Sequence, residues 1–164
     1  MRILGLLFLL VLSNLASADL VQVGAGTARW GVFKVYDAQF FTEVGINLEQ
    51  ALSEQTPARL VLCYARDLSV ENFIEGAQRG LPEDLSADLQ HAVNRLHAAY
   101  QPVKQGDCYH LDFQPEQGTR LLLNGKPLVQ IDTAGFKAVY FGIWLGEQPL
   151  SMTLKRSLLA GLKP

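Results

Sequence analysis

Basic charge is scarce in this chain and never clustered. The 164 residues carry 14 Lys and Arg against 16 Asp and Glu, and Lys155-Arg156 is the one adjacent basic pair. Holding nucleic-acid phosphate takes grouped cations, so nucleic acid is not an expected partner and the pair reads as the solvated side of a helix. Histidine is equally sparse. His91 and His97 lie six residues apart on one predicted helix, a rotation of about 600° that aims them at different faces. His110 stands two residues from Cys108 on a predicted strand, but two ligands do not make a zinc site. No metal is expected. Gly24-Ala25-Gly26 invites a dinucleotide reading, but Arg29 replaces the third glycine and a strand follows where a pyrophosphate-binding helix is needed. No cofactor is expected, and the glycines read as a turn. A Gly-x-Ser-x-Gly elbow is missing, as is any pair of carboxylates spaced for acid and base roles. No catalytic residue is assigned.

What is present begins with a leader. Met1-Arg2 precedes an apolar run from Ile3 to Leu12 and a small-x-small ending at Ala16-Ser17-Ala18. The run is too short to cross about 30 Å of hydrocarbon and matches a secretory signal peptide over residues 1–18, cleaved before Asp19. Removing it leaves 146 residues (164 − 18) with a net charge of −3 (13 basic, 16 acidic), which suits one domain over 19–164. No membrane span is expected after cleavage. Localisation is then periplasmic or secreted, and Cys63 and Cys108 meet an oxidising compartment. A disulfide between them and two buried free thiols are both open. Nothing indicates the oligomeric state.

Along the mature chain, residues 32–41, 59–65, 108–113, 119–123 and 127–131 read as strands, rich in β-branched and aromatic residues. Asn124-Gly125 supplies a tight hairpin turn. Apolar residues at spacings of three and four mark four helices. One follows a Ser69 N-cap, one runs from about Leu85 to Tyr100, one starts at Thr133 and closes at a left-handed Gly146, and one covers about 151–160. Hairpins with helices and no regular β-α-β alternation give an α+β fold, with helices on a mainly antiparallel sheet.

Four residues suggest a binding site. The strand period of two sets Lys34 and Tyr36 on one face, Arg29 enters that same strand region, and Arg66 is the fourth candidate. Guanidinium, ammonium and phenol groups together hold a carboxylate through charge-assisted bonds while apolar neighbours take a chain. The alternative is that all four cover a sheet edge in water.

The order of segments, namely a Gly-x-Gly turn with a nearby arginine, FKVYDAQFF, LCYARDLSVENF, GDCYHLDF, LLLNGKPL and GIWLGEQPLSMTLKRSLLAG, resembles the bacterial chalcone isomerase-like family over nearly the whole mature chain. The resemblance implies an open-faced β-sandwich, a large sheet covered by a helical layer with a cleft between them. Plant chalcone isomerase closes a phenol onto an enone without a cofactor, using an arginine after a glycine turn, a strand threonine, and a helix tyrosine and asparagine. Those positions look like Ala28 (with Arg29 one residue on), Tyr36, Phe73 and Gly80. One residue on a strand reverses the face, and a bulge would restore the arginine's aim. Losing donors placed where charge develops implies a non-catalytic relative. Other plant members of the fold bind fatty acids through an arginine and a tyrosine, and Arg29 with Tyr36 resembles that pair. The leading expectation is therefore an exported carrier of a fatty acid or similar amphipathic ligand. The alternatives are a cofactor-free isomerase acting on an enone, and a protein-interaction module using aromatics such as Trp30 and Phe41.

Overall fold

A computed structural model describes residues 20–164. The expected leader and its cleavage point before Asp19 lie outside the described residues. Six strands form one antiparallel sheet in sequence order: β1 (Val21–Trp30), β2 (Phe33–Thr42), β3 (Ala58–Tyr64), β4 (Cys108–Gln114), β5 (Gly118–Leu123) and β6 (Lys126–Ile131). The fold is α+β, an open antiparallel sheet covered by helices. Tight turns make three of its five connections, and helices fill the two between β2 and β3 and between β3 and β4. Trp30 pairs with Phe33 across Gly31-Val32, where Gly31 takes a positive φ, and Leu123 pairs with Lys126 across Asn124-Gly125, both left-handed as a type I′ turn requires.

The helices are α1 (Leu48–Leu52), α2 (Val70–Gly80), α3 (Ala87–Ala98), α4 (Phe136–Leu145) and α5 (Met152–Leu158). The sequence reading lacks α1, which Asn47 and Gln50 start with a reciprocal capping box. Apolar on almost every side, α4 buries Phe136, Tyr140, Phe141, Ile143, Trp144 and Leu145 and forms the middle of the helical layer. It also buries Lys137, whose Nζ donates to the carbonyls of Ser53 and Thr56 at 2.6 Å each and lies 4.3 Å from the centre of the Phe113 ring. Burial pushes this ammonium down to about 8, against the opposing pull of Glu54 and Glu43.

Two glycine expectations are corrected. Gly24 and Gly26 lie inside β1 instead of forming a turn, because α5 packs directly on that strand. A Cβ at Gly24 would stand 2.2 Å from the Leu158 carbonyl oxygen, and one at Gly26 2.8 Å from Ser157 Cβ. A bulge at Val23 helps this docking, since its carbonyl accepts from Gly161 N–H at 2.8 Å. Gly146 is extended, not left-handed, with φ −71. It is needed for another close approach, as a Cβ there would meet the Gly142 carbonyl oxygen at 2.6 Å.

Candidate ligand-binding cleft

Strands place alternate side chains on one face, and from β2 to β4 the covered face carries Tyr36, Leu62, Tyr64, Tyr109 and Leu111. Over it, α2 supplies Phe73, and α4 supplies Ile143 and Trp144. Between the layers lies a cleft of about 790 Å³ bordered by all of these, within the range of small-molecule sites. The chain's five tyrosines meet here. Tyr36, Tyr64, Tyr100 and Tyr109 line the cleft, and Tyr140 stands behind, its hydroxyl 2.6 Å from that of Tyr100.

Their hydrogen bonds separate occupied hydroxyls from available ones. Tyr109 donates to the Gln101 carbonyl and accepts from the Gln101 N–H, at 2.7 and 2.8 Å, and Tyr100 and Tyr140 share one bond. Trp144 Nε1 donates to Tyr36 Oη at 2.9 Å. An indole N–H cannot accept, so the proton of Tyr36 remains free. Tyr64 lines the cleft, and its hydroxyl has no partner among the described residues. Its ring meets that of Tyr36 edge to face, centroids 5.6 Å apart. Burial raises both phenols, Tyr64 well above the ordinary range, so both stay neutral donors. The site therefore offers at least two O–H donors in an aromatic, largely apolar chamber.

Arg29, Trp30, Arg66 and Arg79 stand exposed at the mouth. Arg29 lies opposite Lys34 in register and donates to the Val32 carbonyl at 3.4 Å. Arg66 lies 5.6 Å over the Phe33 ring. These two are rim charges, and Tyr36 is the one residue of the expected four that lies inside. Lys34 is the correction. Register partners run Ala28 with Tyr36 and then Arg29 with Lys34, so Val35 is an extra residue on β2. That bulge turns Lys34 to the opposite face, where it pairs with Asp37 beside Thr27. Asp37 is held below the usual carboxylate range by its hydrogen bonds from Lys34 and Thr27, and Arg29 adds to this. The bulge lies on β2 and leaves β1 in phase, so Ala28 faces the cleft and Arg29 serves only its edge.

Cys63 and Cys108 are register partners on β3 and β4 and form a disulfide, Cα atoms 4.1 Å apart. Trp30 is 78 % exposed whereas Phe41 is half-buried. Among the described residues no three His, Cys, Asp or Glu side chains gather as metal ligands, and no helix is long and apolar enough to cross a membrane.

This architecture can be compared with known proteins. The sequence profile described as chalcone isomerase-like matches residues 12–160. The chain belongs to the chalcone isomerase-like family. Among solved structures, it is similar to the Arabidopsis thaliana fatty-acid binding protein, with a TM-score of 0.65 and 10 % identity over 85 % of this chain and 86 % of that one. That likeness shows the shared fold. No curated protein sequence matches the chain.

Two positions resembling the plant enzyme's polar groups carry no polar side chain here. Phe73 is buried in the aromatic wall, between Tyr64 and Tyr100 at centroid distances of 5.3 and 5.2 Å, and carries no donor. Gly80 is a contact between helices, where a Cβ would stand 2.9 Å from Ile143 Cγ2 and 3.1 Å from Ile143 Cα. An asparagine there would have to push α4 away. Tyr64 and Trp144 join the site beyond the four residues expected from the sequence. Tyr64 was legible as a cross-strand neighbour once β2 and β3 were paired, but Trp144 was indistinguishable from the rest of an apolar helix.

Proposed function

We propose that this protein is an exported, non-catalytic carrier of a fatty acid or similar amphipathic molecule in a bacterial envelope. The observation that carries the proposal is the cleft itself, apolar and aromatic within, with free Tyr36 and Tyr64 hydroxyls inside and arginines at its rim. Such a chamber takes a hydrocarbon chain together with a head group that accepts hydrogen bonds. A carboxylate accepts from both phenols. The fold shared with a protein named as fatty-acid binding is consistent with this reading. So are the secretory pattern of residues 1–18 and the disulfide, which belongs to an oxidising compartment.

Displacement of a fluorescent fatty-acid analogue by unlabelled fatty acids of increasing length tests the proposal. Saturable binding weakened by Tyr36→Phe and Tyr64→Phe is expected. A protein that takes up no fatty acid of any length would end it.

A further inference from the structure

The β1–β2 hairpin ends in an apolar tip that the fold leaves uncovered. Trp30, Val32 and Phe33 are 78, 83 and 61 % exposed, although soluble proteins seldom leave three such neighbours in water. The chain does not need them for its core. The tip also borders the cleft, since Trp30 forms part of the mouth, and exposed Leu150 borders the same opening. Around the tip stand Arg29, Lys34 and Arg66. Lys34 is paired with Asp37, but among the described residues neither Arg29 nor Arg66 is in an ion pair. A chain with more acidic than basic residues thus carries unpaired positive charge beside its most exposed aromatics.

We propose that this hairpin tip docks on the surface of an anionic lipid bilayer, with Trp30, Val32 and Phe33 at the headgroup boundary and Arg29 and Arg66 against lipid phosphates. A tryptophan flanked by cations suits that boundary, where one end of the ring is apolar and the other wet. Cationic side chains add attraction to an anionic leaflet that salt screens. Docked in this way, the mouth faces the membrane, and an amphipathic molecule passes between bilayer and cleft without crossing water. This last consequence rests on the carrier reading, whereas the docking does not.

The test is co-sedimentation of the mature protein with phosphatidylcholine vesicles with and without phosphatidylglycerol, beside the double variant Val32→Glu, Phe33→Glu. Neither residue lines the cleft, Val32 is 83 % and Phe33 61 % exposed, and a circular-dichroism melt beside the wild type checks that the variant is folded. The expected result is association with the anionic vesicles, accompanied by a blue shift of tryptophan emission, weakened by salt and reduced at least about tenfold in the variant. Uptake of a soluble fluorescent fatty acid is measured in parallel and is unchanged in the variant. Three results overturn the docking: no association with anionic vesicles, equal association of the variant, or a concentration-dependent dimer that the variant abolishes in place of vesicle binding. Vesicle association without fatty-acid uptake would sink the carrier reading and leave the docking standing.

Discussion

Two phenols lining one wall differ in what their removal should do. Tyr64 makes no hydrogen bond to the described residues, so Tyr64→Phe should leave thermal stability nearly unchanged while weakening binding of a carboxylate ligand about tenfold, as titration calorimetry would show. Tyr36→Phe should weaken binding to a similar extent and also lower stability by about 1–2 kcal/mol, because the indole N–H of Trp144 loses its acceptor. Lys137 gives a separate test by pH. Its ammonium titrates near 8 when folded and at 10.5 when unfolded, so the native state releases its proton first. Between those values the unfolded chain binds more protons, and stability rises with pH. The neutral amine still has two N–H groups for the carbonyls of Ser53 and Thr56. Against Lys137→Met, the wild type should therefore gain up to about 3 kcal/mol from pH 8 to 10.5 in denaturant melts, and a flat difference would refute the buried titration. At this scale the sequence was only partly legible. Tyr36 could be placed because it follows the strand period. Lys34 could not, because one extra residue at Val35 reverses every side chain before it and leaves no mark in composition.

Strands and helices with strong patterns were readable in place, as were the Asn124-Gly125 turn and the Ser69 cap, because each depends on near neighbours in sequence. Gly24, Gly26 and Gly146 were misread. Glycine signals that something needs room, and only the packed structure reveals whether that is a turn or an adjacent backbone. At Gly24 the neighbour is α5. Gly24→Ala should loosen that helix and cost about 1–3 kcal/mol, seen as a lower melting temperature and faster hydrogen exchange over 152–162, whereas unchanged exchange there would contradict the close approach. The short α1 was missed although its Asn47-x-x-Gln50 box was in plain sight, since five residues carry too little apolar periodicity to be noticed.

For the molecule as a whole, the family was recognisable from the order of its segments, while the cleft was not, because its volume depends on how far α2 and α4 stand from the sheet. The disulfide joins neighbouring strands across a separation of 45 residues. In the chain-entropy view, closing a loop of that length stabilises by up to about 4 kcal/mol, so reduction should lower the denaturant midpoint substantially. The central claim is that the cleft holds cargo, and Gly76 offers a way to fill it. It lines the cleft on α2, and a Cβ there meets nothing within 4 Å. Native mass spectrometry of the protein purified from the cells that make it, beside Gly76→Trp, is the most direct measurement. The account predicts that the wild type carries an added mass of fatty-acid size and that the tryptophan variant is empty. A wild type without cargo, or two proteins equally loaded, would contradict it.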